Sequence, residues 1–365
     1  MLAIFLFRRH IFIKTKGGKK MKKKKLLDLS SREKIYTFSV GVTGRCNAFC
    51  NYCHYYANRN RESVAYDIST EQFIAYMDFI HYWCERIEGI TSYRFSGGDP
   101  MVLGDRLFEL AKIGFQKTGL HPFILTAGKE LNKKWVDKAI QSQISHVFVS
   151  VENPFRPNKG APNPFKVVES IKEYNSSQMP IVPGVCVIPN DCFKDLYKIC
   201  EWFYKELGEI PLICEVNYST YKTPTDDEWL ALEDNLPFVI KDFFPQTKLN
   251  LFSSVVPEYA YNGKDPYVFD LNLENTHGIT EHNYKSKLDG FIEKLKTVNY
   301  PKLDCVKVEC PWHEYCQNVK WYWKDNVGQC LNHKIDDYCR FKRIVSDAYY
   351  RNLVDSNHPA TLCRI

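Results

Sequence analysis

Three cysteines fall within eight residues of one another in the segment Gly44-Arg45-Cys46-Asn47-Ala48-Phe49-Cys50-Asn51-Tyr52-Cys53. Thiols spaced this closely make a metal-ligand set. Structural zinc usually takes four ligands, often as two Cys-x-x-Cys arms, and no second pair follows within the next twenty residues. A cubane iron–sulfur cluster also takes four thiolates. Three of them from one short loop would leave one iron open to a substrate or cofactor. The bland alternative, three buried cysteines with no ligand, fits this spacing poorly.

The other cysteines divide into a second cluster and scattered positions. Cys305, Cys310, Cys316, Cys330 and Cys339 are separated by four, five, thirteen and eight residues. No Cys-x-x-Cys pair occurs among them, which argues against a zinc ribbon or finger. Four or five thiols are still enough for one further iron–sulfur cluster or for a structural zinc. No secretory signal is present, so clustered thiols read as metal ligands in a reducing, cytoplasmic setting rather than as disulfides. Cys186 and Cys214 fall in strand candidates, where core packing is favoured over a role as hydrogen donors inside a barrel. Cys84, Cys192 and Cys200 fit helices as small hydrophobes, and Cys363 has no assignment.

These residues need a frame. From Ile35 onward, short apolar runs alternate with longer helical patterns. The pattern predicts strands at 36–43, 92–96, 123–126, 146–151, 181–188 and 212–216. Helices are predicted near 70–88, 105–118, 133–141, 164–175, 192–207 and 226–241. Two helix starts carry capping boxes, Ser69 with Gln72 and Thr225 with Glu228. Six strand–helix units imply right-handed crossovers and a parallel sheet with helices outside it. Six falls short of the eight units of the common closed barrel, so the expectation is an α/β partial barrel or an open sheet. The first cysteine cluster follows strand one, at the edge where such sheets place their chemistry. Beyond about residue 242 the rhythm changes. The Tyr-, Phe-, Pro- and Asn-rich stretch 249–270 shows no clear period, then helices are expected at 281–297 and 340–354. The expected division is a basic arm at 1–34, a barrel at 35–244 and a Cys-rich extension at 245–365.

The 365 residues are 44% hydrophobic and 25% charged, the composition of a globular protein. With 18 Gly, 18 Pro and no repeat period, collagen, solenoid and disordered classes drop out. The net charge of +6 is local. Ten of the 49 basic residues lie in residues 1–25, which hold no acid, so the remainder carries four more acidic than basic residues. No bulk attraction to nucleic acid follows. The apolar runs of the arm are broken by Arg8-Arg9-His10, too short to span a membrane, and their order is not that of a signal peptide. The arm reads either as a disordered basic tail or, with Lys16-Gly17-Gly18 as a translated ribosome-binding site, as residues upstream of a start at Met21.

Cys46-x3-Cys50-x2-Cys53 after the first strand of a βα series resembles the radical S-adenosylmethionine (SAM, AdoMet) superfamily. Ser96-Gly97-Gly98-Asp99-Pro100 closes the second strand and is similar to that family's Gly-Gly-Glu motif, with Asp99 one methylene shorter. The third strand ends Thr126-Ala127-Gly128, where the family has Thr-Asn-Gly. The fourth, ending Ser150-Val151-Glu152, is similar to a Ser-Leu-Asp-Gly segment. The resemblance implies a partial (β/α)6 barrel with a [4Fe-4S] cluster on Cys46, Cys50 and Cys53. It further implies AdoMet chelating the open iron and contacting Gly97, Gly98, Asp99, Ser150 and Glu152, with Tyr52 against adenine. One electron then cleaves AdoMet to methionine and a 5′-deoxyadenosyl radical, which abstracts hydrogen from a substrate. The strand alternation sets His146, Phe148, Ser150 and Glu152 on one face, and His146 reads as a structural histidine rather than a base.

The second cysteine cluster resembles the SPASM or twitch extensions of this family, in a shortened form holding at most one auxiliary [4Fe-4S] cluster. Such extensions accompany peptide and protein modification, so a peptide side chain is the expected substrate, with a low-potential electron donor as partner. About fifteen residues separate Met21 from the first strand, too few for an N-terminal leader-binding domain, so a peptide would dock at the barrel mouth, on 250–270 or with a separate partner. Two alternatives stay open. One is radical modification of a small molecule such as a sugar or antibiotic precursor; a short neighbouring reading frame for a Cys- or Gly-rich peptide would argue against it. The other is a non-enzymatic iron–sulfur or zinc protein, which would form no 5′-deoxyadenosine.

Overall fold

Strand β1 (Lys34–Thr43) alternates strictly: Tyr36, Phe38, Val40 and Val42 are all buried on one face. That face meets α1 (Thr70–Arg86), whose Trp83 ring sits 4.9 Å from Tyr36 and 5.4 Å from Phe38, edge to face. Aromatic pairs at this spacing add to the burial of the rings themselves. On the opposite face hydroxyls pair across the sheet to β2 (Ile90–Gly97), Thr37 with Ser92 at 3.0 Å and Ser39 with Ser96 at 2.8 Å. One side of the sheet is thus a hydrophobic seam and the other, the barrel interior, carries polar groups.

The computed structural model describes residues 34–50, 53, 65–157, 160–187, 192–215, 224–247, 265–271 and 279–297, with Arg340, Ile344 and Ala348. The N-terminal arm, Tyr52, the cysteines from Cys305 to Cys339 and Cys363 lie outside the described residues. After β2 come a 3-10 turn (Pro100–Leu103), α2 (Asp105–Thr118), β3 (Phe123–Thr126) and α3 (Lys133–Gln141). Then follow β4 (His146–Ser150), α4 (Pro164–Tyr174), β5 (Ile181–Val187), α5 (Leu196–Leu207), β6 (Leu212–Glu215) and α6 (Asp226–Thr247). The last elements are β7 (Asp265–Leu271) and α7 (Tyr284–Thr297).

All strand pairs are parallel, in the order β6-β5-β4-β3-β2-β1-β7. This is the expected α/β architecture, a parallel sheet forming a partial barrel. One capping box closes in both directions, Thr225 and Glu228 bonding at 2.8 and 3.4 Å; at the other, Ser69 Oγ accepts from the Gln72 amide at 3.1 Å, while the Gln72 side chain donates to Ile279 O at 3.1 Å.

The sheet has one strand more than the sequence pattern shows. β7, with the sequence Asp-Pro-Tyr-Val-Phe-Asp-Leu, pairs along the free edge of β1. Its Tyr267, Phe269 and Leu271 stand in register with Tyr36, Phe38 and Val40, and Leu271 is buried. An edge strand tolerates Pro266, and the two aspartates mask the apolar period. Helix α7 then returns to α1, with Phe291 at 5.8 Å from Trp83 and Arg86 paired to Asp289.

Candidate active site

The C-terminal ends of β1, β2, β3 and β4 converge on the segment that carries the first three cysteines. Thr43, the last residue of β1, is fully buried. Its hydroxyl donates to Asp67 Oδ1 at 2.7 Å and accepts from the Arg45 amide at 3.0 Å. The Arg45 guanidinium then grips Asp67 in a two-pronged pair, Nε to Oδ1 at 2.9 Å and a terminal nitrogen to Oδ2 at 2.6 Å. Burial pushes the Asp67 carboxyl up, but the bonds from Arg45 and Thr43 outweigh it and hold the carboxyl below its ordinary range. The residue before Cys46 is therefore anchored by side chain and backbone together.

The Gly97-Gly98 pair serves a contact with this same loop. The Gly98 amide donates to Thr43 O at 2.7 Å and the Asp99 amide to Arg45 O at 2.8 Å. A Cβ on Gly97 would lie 2.1 Å from Thr43 O, and one on Gly98 2.1 Å from Arg45 O. Gly97 also has φ +116°, which side-chain-bearing residues rarely adopt. The sequence reading set these glycines against a ligand; in the fold the backbone they admit is that of the cysteine loop.

Asp99 is 2% exposed. Its Oδ1 accepts from the Met101 amide at 3.1 Å and the Thr126 hydroxyl at 2.7 Å, and its Oδ2 from the Ala127 amide at 3.1 Å. The carboxylate caps the 3-10 turn and ties the end of β3 to the end of β2. Burial raises its pKa despite those three bonds. Past β3, the turn at 129–130 reaches the cysteine loop: Asn47 Nδ2 donates to Glu130 Oε1 at 2.8 Å, and Lys129 Nζ to Asn47 O at 3.3 Å. From the other side of the mouth, Gly160 O accepts from the Phe49 amide at 2.6 Å.

Cys46, Cys50 and Cys53 are in no disulfide and of intermediate exposure, and Cys46 Sγ accepts from the Ala48 amide at 3.3 Å. Among the described residues no three His, Cys, Asp or Glu side chains converge as on a single metal ion. Thiolates on a cubane bind different irons and need not meet at one point. Ser150 is exposed at the end of β4, while Glu152 and Asn153, just beyond the strand, are buried. Because β4 ends at Ser150, strand alternation does not carry to Glu152.

His146 begins β4, about 13 Å from the Ser150 end at some 3.3 Å per residue. It stacks on Phe123 at 4.6 Å and bonds Ser145 Oγ at 2.9 Å, a structural arrangement. Cys192 and Cys200 are buried in the core, and burial pushes the Cys200 thiol up. Cys186 and Cys214 stand in register on β5 and β6. Asp67, Lys129, Glu130 and Gly160 escaped sequence reading because each acts from a segment distant in the chain. Only Asn47, beside Cys46, carried a positional hint.

A family model described as the Radical SAM superfamily matches residues 40–203. The GTP 3′,8-cyclase of Aliarcobacter butzleri (strain RM4018) is 24% identical over 243 residues, 65% of this chain and 72% of that protein. Among solved structures, anSMEcpe with bound AdoMet aligns with TM-score 0.61 at 14% identity, over 88% of this chain and 99% of that one. The same enzyme with AdoMet and a Cp18Cys peptide gives 0.59 at 15% identity, over the same shares of both chains. SuiB of Streptococcus suis bound to its precursor peptide SuiA gives 0.50 at 14% identity, over 90% of this chain and 87% of that one. Among the described residues no helix is long and apolar enough to cross a membrane.

Proposed function

We propose that this chain, whose residues 40–203 match the Radical SAM superfamily model, is a radical SAM enzyme whose substrate is a peptide or protein side chain from which hydrogen is abstracted. The family implies a [4Fe-4S] cluster and AdoMet. The residues present fit the cluster: three partly exposed cysteines outside any disulfide sit in one anchored loop, and a backbone N–H faces Cys46 Sγ. Cys46, Cys50 and Cys53 would hold the cluster, which would supply the one electron for reductive cleavage of AdoMet to methionine and the 5′-deoxyadenosyl radical. The chain's own part is positional. Thr43, Arg45 and Asp67 fix the approach to Cys46, while Gly97 and Gly98 set the end of β2 against the loop. Ser150, Glu152 and Tyr52, with the two glycines, are the residues we assign to AdoMet; the Asp99 carboxylate is engaged internally.

The observation that carries the peptide reading is the extent of the fold match. It covers 88% of this chain and 99% of anSMEcpe, a fold solved with AdoMet and a Cys-containing peptide. In the same reading Cys305, Cys310, Cys316, Cys330 and Cys339 hold one auxiliary cluster or a structural zinc, and a low-potential cytoplasmic donor supplies the electron. The test is anaerobic incubation of the reconstituted enzyme with AdoMet, reductant and peptides encoded beside its gene. Substrate-dependent 5′-deoxyadenosine with a mass change in the peptide is the expected result. A second reading, modification of a small molecule, has its own support in the 24% identity to a GTP cyclase. GTP in the same assay separates the two: consumption of GTP with no peptide change would overturn the first.

A further inference from the structure

The Asp99 carboxylate, the group the motif would turn toward AdoMet, faces the protein. Both oxygens accept hydrogen bonds from the 3-10 turn and the end of β3, and the residue is 2% exposed. Three of its roughly four acceptor sites are already taken by the protein. Asn47, next to Cys46, is in the opposite condition. Its Nδ2 is committed to Glu130 Oε1 at 2.8 Å and its carbonyl to Lys129 at 3.3 Å. Its Oδ1 is buried and has no hydrogen-bond partner among the described residues. A carboxylate can only accept, so Glu130 forces the NH2 of the amide toward itself and the oxygen away. A buried acceptor held without a donor is costly, and this one, unlike the other orphaned polar atoms among the described residues, lies in the loop that carries the three cysteines.

We propose that Asn47 Oδ1 is an AdoMet-binding atom, accepting a hydrogen bond from bound AdoMet, and that Glu130 is the positioning residue that aims it. The assignment rests on the radical SAM reading of the site. AdoMet offers three kinds of donor: its amino group, its ribose hydroxyls and its adenine amine. Asp99 braces β2 against β3, and the loop that carries the cysteines adds a polar contact of its own.

The test is equilibrium dialysis of AdoMet and of 5′-methylthioadenosine against the reconstituted holoenzyme without reductant, with iron counted per chain. Asn47→Leu keeps the shape and removes the acceptor, and we expect AdoMet to bind about tenfold more weakly at unchanged iron. Glu130→Gln keeps an acceptor for Asn47 Nδ2 and should bind within about twofold of wild type; Glu130→Leu, which frees the amide to turn, should bind several-fold more weakly. Weakening of both ligands assigns the contact to the nucleoside, and weakening of AdoMet alone to the amino group. An Asn47→Leu protein with full iron and wild-type affinity for AdoMet overturns the proposal. If that variant loses iron, Glu130→Leu decides, since it lies outside the loop: unchanged affinity overturns the proposal equally. A wild-type protein that holds iron but binds no AdoMet would instead sink the functional reading on which the proposal stands.

Discussion

Replacing Gly98 by Ala tests whether the Gly-Gly pair exists for the cysteine loop. The added Cβ would lie 2.1 Å from Arg45 O and 2.6 Å from Arg45 C. Ordinary contact begins near 3.4 Å, so the loop or the end of β2 must move by about 1.3 Å. Both obstructing atoms are backbone, with no rotamer to yield. Such a shift breaks the bonds from Gly98 N to Thr43 O and from Asp99 N to Arg45 O, at 2.7 and 2.8 Å. Two hydrogen bonds are worth about 1–3 kcal/mol together, and overpacking adds about 1–3 kcal/mol. The total, roughly 2–6 kcal/mol, corresponds to a fall in Tm of about 3–8 °C for a chain of this size. A displacement of about 1 Å in a positioned group costs on the order of a hundredfold in rate. Differential scanning fluorimetry of the apoprotein reads the first effect and 5′-deoxyadenosine formation the second. Gly290→Ala is the control: it sits in α7 with nothing within 4 Å of the added Cβ, and should be neutral or stabilising by up to about 1 kcal/mol. A Gly98→Ala protein that melts with wild type and forms 5′-deoxyadenosine at the wild-type rate refutes the steric reasoning.

Asp99→Asn puts an NH2 against one of three donors, so a loss of about 1–3 kcal/mol is expected at neutral pH by urea unfolding. Burial raises the Asp99 pKa in the fold, so the native state holds that proton more tightly than the unfolded chain. Its favourable contribution is complete below the ordinary carboxyl value and is lost as pH rises through the raised one. The wild-type protein should carry that decline with pH and Asp99→Asn should lack it; parallel curves would count against it. Changing Cys46, Cys50 and Cys53 together to Ala should lower iron from roughly eight to roughly four per chain if the C-terminal cysteines hold a second cubane, or from roughly four to none if they bind zinc. Retention of all iron would contradict the assignment of the loop. Trp83→Ala should cost about 3–5 kcal/mol in chemical unfolding, because the ring is fully buried between β1 and Phe291 of α7; a cost below about 1 kcal/mol would mean that α7 does not close that seam.

How far the chain could be read depended on the range of each signal. Periodicity and caps act within a turn or two, so β3, α2 and α3 fall where the apolar pattern places them. Strand β7 was hidden because its pairing partner lies more than 220 residues earlier, and its own residues include Pro266 and two aspartates. The same limit governed the site. Cys46, Cys50 and Cys53 announce themselves by spacing, whereas the bonds from Asp67, Glu130 and Gly160 form only once β1, β3 and β4 stand side by side. Asp99 shows a further limit: a motif names the residue type, and only the neighbours decide which way its carboxylate faces.

The bonds that anchor the cysteine loop are also bonds of the fold, and this constrains how the site can vary. Asp99 caps one turn and fastens the end of β3; β3 delivers Glu130; Glu130 aims Asn47, which follows the first cysteine. Thr43 is at once the end of β1, the acceptor for Gly98 and the partner of Asp67. A substitution at a buried link cannot lower ligand affinity through the scaffold without also touching stability, because the link is shared. Asn47 Oδ1 is the exception, since no bond of the fold uses it among the described residues. Asn47→Leu removes that acceptor together with one exposed bond to Glu130, so it should lower affinity with little change in Tm, whereas Asp99→Asn should change both. The contrast between those two variants, read as Tm against AdoMet affinity, distinguishes a group kept for the ligand from a group kept for the frame.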